Sequence, residues 1–211
     1  MKTTASVERL QAIKAHISNH PIITFIGGGN MAEAILCGLQ ASGHPGAKLR
    51  YSEPLDERRA YMQKTYPAMI GSVDNLKAVD GADIVILAVK PQVLKKVISA
   101  CANQIPQHAL IISIAAGITT QDIHRWMGSE RPLVRCMPNT PSLVGEGAAG
   151  LYATKGVNQV QRTMAETVMR AVAKQVLWVN EEILIDVVTG ISGSGPAYFF
   201  LILEAMRKSE W

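Results

Sequence analysis

The chain has 211 residues, of which 48% are hydrophobic and 18% charged. That is enough apolar side chain for a packed core in one domain or a little more, and it excludes intrinsic disorder as the main state. The formal charge is only +4, from 21 basic and 17 acidic residues. The basic residues are scattered in short pairs, Arg58 with Arg59 and Lys95 with Lys96, not in a stripe interleaved with aromatics, so no nucleic-acid partner is expected.

The N-terminal extension, residues 1–20, is polar and reads as a helix around Val7 to Ile17. It lacks the apolar centre of a signal peptide, and with Glu8 beside Arg9 it makes a poor presequence. Ile22 to Ile26 reads as a strand ending in glycines, and Asn30 to Ala41 as a helix with Ala, Ile and Leu at helical spacing. Leu49 to Ser52 is a second strand, Asp56 to Thr65 a charged helix, and Met69 to Gly71 a short strand after Pro67. Ile84 to Val89 is entirely branched or apolar, the mark of a strand buried on both faces. As an uninterrupted apolar run it is too short to span a bilayer, and no membrane partner is expected.

Gln92 to Ala102 returns as a helix, followed by a strand at Leu110 to Ile114, a helix at Thr119 to Met127 and a strand at Leu133 to Met137. Strands at Ala148 to Ala153 and Val176 to Val179 flank a helix at Asn158 to Val172. Strand alternating with helix predicts a Rossmann-type, mostly parallel sheet with helices on both faces. From Glu181 the pattern changes to two helical segments, Glu182 to Ile191 and Pro196 to Lys208, with no strand between them. This predicts a domain of residues 21–180 followed by the start of an all-α domain, residues 181–211. The three cysteines, Cys37, Cys101 and Cys136, are far apart and odd in number, which fits a reducing cytoplasm better than a disulfide framework.

One motif carries chemistry. Gly27, Gly28, Gly29, Asn30, Met31 and Ala32 follow the first strand and open the first helix, reading G-x-G-x-x-A. Gly27 permits a tight turn, Gly29 lets a pyrophosphate approach the backbone, and Ala32 allows close helix–strand packing. The helix N-terminus then holds the phosphates. Glu53, at the end of the second strand, is placed to accept hydrogen bonds from an adenosine ribose, which favours NAD. Arg58 and Arg59 follow closely and could meet a 2′-phosphate, which favours NADP, or form a solvated helix face; the cofactor preference stays open between the two. The ends of three later strands carry further loops: Ala88, Val89, Lys90 and Pro91; Ala115, Ala116 and Gly117; Pro138 and Asn139. In an open α/β sheet such loops share one rim where ligands bind. Small residues at 115–117 leave room for a flat ring, and Asn139 offers a donor and an acceptor beside it.

Taken together, Ile26 to Ala32, Ala88 to Gln92, Arg135 to Pro141 and Ser192 to Tyr198 closely resemble the corresponding motifs of the pyrroline-5-carboxylate reductase family. Order and spacing match over about residues 21–206. The resemblance implies reduction of Δ1-pyrroline-5-carboxylate to L-proline with NADH or NADPH, the last step of proline biosynthesis, in a cytoplasmic homodimer or higher homo-oligomer. It implies a pyrophosphate site at Gly27 to Ala32, an adenosine ribose at Glu53 and an adenine near Asn75. Ala88 to Pro91 would line the dinucleotide, Ile114 to Gly117 with Pro138 and Asn139 would flank the nicotinamide, and Ser192, Gly193, Ser194 and Gly195, leading to Tyr198, would lie near the substrate.

Hydride transfer to an imine asks mainly for positioning, so no catalytic side chain is assigned. His16 and His20 stand four apart on a helix but lack a third ligand, and no metal is expected; His44, His108 and His124 suggest no site. Asp186 reads as a buried structural carboxylate. The family continues into further helices and a Ser-Pro-Gly-Gly-Thr-Thr loop that grips the substrate carboxylate. That loop is missing here, so the helical domain is expected to be truncated. This leaves as alternatives a catalytically impaired cofactor-binding fragment or another NAD(P)-dependent imine or 3-hydroxyacid reductase.

Overall fold

The computed structural model describes residues 20–208. The helix expected at Val7 to Ile17, with His16, lies outside the described residues, as does the C-terminal end at Trp211.

Eight strands form one sheet in the order β3-β2-β1-β4-β5-β6-β7-β8. The strands are β1 (Ile23–Ile26), β2 (Leu49–Ser52), β3 (Ile70–Ser72), β4 (Ile84–Leu87), β5 (Leu110–Ser113), β6 (Leu133–Pro138), β7 (Gly147–Ala153) and β8 (Ala173–Trp178). Every neighbouring pair is parallel except β6 with β7. The first six strands therefore have the doubly wound order 3-2-1-4-5-6, in which the direction of strand addition reverses between β1 and β4. Helices α1 (Asn30–Ala41), α2 (Asp56–Thr65), α3 (Asn75–Val79), α4 (Pro91–Cys101), α5 (Thr120–Met127) and α6 (Gln159–Arg170) complete the layers.

The period of two along each strand divides the core between two faces. On β4, Ile84 and Ile86 join Ile35, Leu36 and Leu39 of α1 and Val168 and Met169 of α6. Val85 and Leu87 face the other way, onto Leu94 and Ile98 of α4 and Ile123 and Met127 of α5. This is why the β4 sequence is apolar without alternation. The three cysteines are free thiols, and burial pushes the Cys101 thiol up to about 11.

Apart from shifts of one or two residues at element ends and a short 3₁₀ helix at Gly46–Lys48, the expected elements differ from the observed ones at four places. α3 was missed because it is five residues long; its signal is Asp74, whose side chain accepts from the Leu76 amide as an N-cap. A short 3₁₀ helix, Thr140–Val144, follows β6. β8 begins at Ala173 rather than Val176, because Ala173 already pairs with Gly147. The fourth difference concerns the C-terminal segment. α7 (Leu184–Val188) runs through a π-helical turn (Thr189–Gly193) into α8 (Gly195–Lys208), so the Ser192 to Gly195 motif is not an open turn between helices. The Ser194 amide reaches back five residues to the Thr189 carbonyl at 2.9 Å, the signature of a π bulge, a feature found often at functional sites.

The stretch Leu184–Lys208 is 25 residues with mean hydropathy 1.3, long and apolar enough by length and composition to cross a membrane. It contains the run Ala197 to Leu203, longer than the Ile84 to Val89 run on which the sequence reading of membrane spans rested. Its side chains, Phe199, Phe200, Leu201 and Leu203 among them, are exposed.

Candidate functional site

Strands β1 to β6 end at the same edge of the sheet, and the loops leaving those ends carry residues singled out in the sequence. Read along the rim, Asn75 follows β3, Glu53 follows β2, and Gly27 to Ala32 follow β1. Beyond the reversal point, Ala88 to Pro91 follow β4, Ile114 to Gly117 follow β5, and Pro138 and Asn139 end β6. Sequence motifs more than a hundred residues apart thus form one line.

The fingerprint loop is built by close packing. Gly27 has φ +104°, a conformation that strains any residue with a Cβ, and a Cβ there would lie 2.6 Å from the Ala88 carbonyl oxygen. The loop is thereby pressed onto the β4 loop, and Gly27 N–H donates to the Ser52 carbonyl. Gly29, by contrast, has open space where a Cβ would point. It is the N-cap of α1 and offers no side chain to cap the helix. The first-turn amides and the positive end of the helix therefore meet a cradle that a phosphate can enter and a larger side chain would fill.

Glu53 is buried beneath this loop. Its Oε2 accepts from the Gly28 amide at 3.1 Å and its Oε1 from the Leu55 amide at 3.0 Å. Arg58 and Arg59 are not a solvated face. Arg58 Nε donates to the Gly28 carbonyl at 2.7 Å and Nη2 to Glu33 at 2.5 Å. Arg59 Nη1 donates to the Glu53 carbonyl at 2.8 Å and Nη2 to Asp56 at 2.5 Å. Glu33 also accepts from the hydroxyls of Tyr61 and Tyr66. Burial raises its carboxyl pKa, but the hydrogen bonds from Tyr66 and Arg58 outweigh that and hold it below its usual range.

At the other end of the rim, Asn139 does two things. Its Oδ1 accepts from the Ala148 amide at 2.8 Å, closing the β6–β7 connection, and its Nδ2 donates to Ser192 Oγ at 3.1 Å. The Ser192 motif is thereby brought to the β6 end. Tyr198 lies exposed on α8.

A second network, which the sequence reading missed, holds the same segment. Arg135 lies on β6 between Val134 and Cys136, so its side chain projects to the opposite face from theirs. It is 1% exposed, and it donates to Glu182 at 3.3 Å and to Asp186 at 2.5 Å. Glu182 also accepts from the Thr120 amide and hydroxyl, both at 2.7 Å, at the start of α5. Asp186 is therefore structural, as expected, but its side chain is half exposed and the buried partner is Arg135. An arginine inside an otherwise apolar strand was the signal, since a buried guanidinium needs carboxylates somewhere.

Among the described residues no group of three or more His, Cys, Asp or Glu side chains could hold a metal ion. His20 packs edge-on against His44 with ring centroids 5.3 Å apart. Both line an apolar cavity of about 280 Å³ with Ile23 and Ile84. These are the first residues of β1 and β4, so the cavity opens at the sheet edge opposite the loops.

Comparison with known proteins decides the family. A pyrroline-5-carboxylate reductase of Pseudomonas aeruginosa is 47% identical over 189 residues, which cover 90% of this chain and 68% of that protein. This chain belongs to the pyrroline-5-carboxylate reductase family. Residues 22–117 match the family described as NADP oxidoreductase coenzyme F420-dependent, and residues 182–210 match pyrroline-5-carboxylate reductase dimerisation. The crystallised reductase of Coxiella burnetii superimposes with a TM-score of 0.83 at 40% identity, over 90% of this chain and 70% of that one. The Plasmodium falciparum enzyme, solved with NADP bound, gives 0.77 at 27% identity, over 88% and 67%.

Proposed function

We propose that this chain is an NAD(P)H-dependent reductase that converts Δ1-pyrroline-5-carboxylate to L-proline. The observation that carries this is the 47% identity to a reductase of that name over 90% of the chain, together with a rim of loops in the order a dinucleotide requires. The same identity disfavours the alternative of another imine or 3-hydroxyacid reductase.

In this reading residues 21–180 form the dinucleotide domain and residues 181–211 belong to a helical domain. The bound cofactor would supply a hydride for the carbon of the protonated imine, whose nitrogen keeps its proton and gains the C=N π electrons as the amine forms. The chain's own residues supply geometry. Gly27 to Ala32 receive the pyrophosphate on the α1 amides, Glu53 takes the adenosine ribose, and Asn75 borders the adenine. Ala88 to Pro91 line the middle of the dinucleotide. Ile114 to Gly117, Pro138 and Asn139 flank the nicotinamide. Ser192 to Gly195, seated on Asn139, bring the substrate against that ring. Holding two reactants at contact distance in this way is worth about 7–11 kcal/mol of barrier in favourable cases. No side chain is assigned as an acid or base.

The exposed apolar surface of α8 lies within the segment that matches the family's dimerisation region. We read it as covered by a second copy of the chain rather than by lipid, in a cytoplasmic homo-oligomer without nucleic-acid or membrane partners. The test of the activity is NADH or NADPH oxidation, followed by loss of the reduced nucleotide's absorbance, with pyrroline-5-carboxylate as acceptor. Proline formation supports the reading, and oxidation with other imines but not with this one defeats it.

A further inference from the structure

We propose that this chain binds NADH in preference to NADPH and that Glu53 sets the preference. The inference rests on the reading of the rim as a dinucleotide site.

Glu53 is 7% exposed and is fixed from two sides by backbone donors, Gly28 N–H on one oxygen and Leu55 N–H on the other. The fingerprint loop packs directly on its stem, since a Cβ built on Gly28 would lie 3.1 Å from the Glu53 Cβ. The carboxylate cannot swing away without breaking the loop that receives the pyrophosphate. An adenosine bound there presents its 2′ position to these oxygens. A 2′-hydroxyl has a proton to donate and is attracted. A 2′-phosphate offers only acceptors and negative charge, and meets a fixed carboxylate in a partly desolvated site.

The nearby cations do not reverse this. Arg58 has its Nε on the Gly28 carbonyl and Nη2 on Glu33, and its guanidinium lies 5.1 Å from the centre of the Tyr61 ring. Arg59 is held by the Glu53 carbonyl and by Asp56. Each guanidinium is matched by a carboxylate of its own, and Glu33, Glu53 and Asp56 together outnumber the two. A 2′-phosphate would have to share these guanidinium groups with Glu33, whose side chain is 17% exposed, or with Asp56, whose side chain is 89% exposed. Binding a 2′-hydroxyl would leave both pairs in place.

The test is equilibrium titration of the purified full chain with NADH and with NADPH, without substrate, by nucleotide fluorescence, repeated for Glu53→Gln. A preference for NADH of about tenfold or more is expected, and Glu53→Gln is expected to shrink it severalfold, mainly by tightening NADPH. Equal affinities, or tighter NADPH binding, in the unmutated chain overturn the inference while leaving the dinucleotide site standing. An unchanged ratio in Glu53→Gln overturns the role of Glu53. Failure to bind either nucleotide overturns the dinucleotide reading itself.

Discussion

Asn139 donates its side-chain amide to the hydroxyl of Ser192 at 3.1 Å, across 53 residues of sequence. One side chain just after β6 thus ties the end of the rim proposed to hold the nicotinamide to the helical segment proposed to meet the substrate. Its other atom holds the Ala148 amide. Asn139→Ala should therefore act on both stability and catalysis. The orphaned amide should cost about 1–3 kcal/mol in urea unfolding. Steady-state kinetics should show a rise of the pyrroline-5-carboxylate KM larger than the loss of nucleotide affinity measured without substrate. Loss of nucleotide affinity with an unchanged KM would show that Asn139 acts on the nucleotide and not through the Ser192 motif.

The phosphate cradle predicts a separation between folding and binding. Gly29 has open space around a built Cβ, so Gly29→Val should fold but fill the cradle and abolish nucleotide binding by titration. Gly27→Val should instead destabilise the fold, because its Cβ would sit 2.6 Å from the Ala88 carbonyl oxygen at positive φ. Normal nucleotide affinity in Gly29→Val would show that the pyrophosphate lies elsewhere.

Arg135 is the buried centre that ties β6, α5 and α7 together. Arg135→Ala should lower unfolding stability by about 1.5–3 kcal/mol, the usual worth of hydrogen bonds to charged groups, since the carboxylates left behind are 24% and 49% exposed. Asp186→Asn should cost much less, because that carboxylate is half exposed. If the network positions the Ser192 motif, hydrogen exchange in residues 184–194 should accelerate in Arg135→Ala before exchange in β1 or β4 does. Uniform acceleration would mean that Arg135 holds the whole sheet instead.

Glu33 gives a pH dependence whose sign follows from its environment. Hydrogen bonds from Tyr66 and Arg58 outweigh the upward push of burial and lower its carboxyl pKa below the ordinary 4.5. A group depressed in the folded state contributes stability that is present above its unfolded pKa and lost as pH falls through the folded value. Glu33→Gln should thus be less stable than the unmutated chain at pH 7. The gap should close on acidification below about pH 4.5. Urea melts from pH 3 to 7 measure it; a gap independent of pH would place the effect in packing rather than charge.

The apolar surface of α8 predicts concentration-dependent assembly. Phe199 is 69% exposed and Leu203 is 59% exposed in the single chain. Replacing both with Glu should shift the chain to a smaller species in light scattering behind size-exclusion chromatography. The melting of the β-sheet domain should change little. Association unaltered by the double substitution would place the interface elsewhere.

Much of the sheet could be read directly because its signals are local. Ile84 to Leu87 is apolar at every position, as a strand between two parallel neighbours must be when helices cover both faces. The glycines at 27 and 29 mark a tight turn whatever else surrounds them. α3 and the 3₁₀ helix after β6 escaped notice because a few residues carry too little periodicity to register. The π-helical turn could not be read either: Ser192 to Gly195 looks like a break until the Thr189 carbonyl is seen to accept from the Ser194 amide.

The sequence by itself determined the strand–helix alternation, the fingerprint at the first turn and the family, since each rests on residues adjacent in the chain or on motifs in fixed order. Only the tertiary structure decided what Glu53, Arg58, Arg135 and Glu182 do. The charge of such a residue is written in the sequence, but its partner is chosen by which strands lie side by side. Glu53 meets Gly28 because β2 pairs with β1. Arg135 meets Glu182 because the segment after β8 folds back over the β6 side of the sheet.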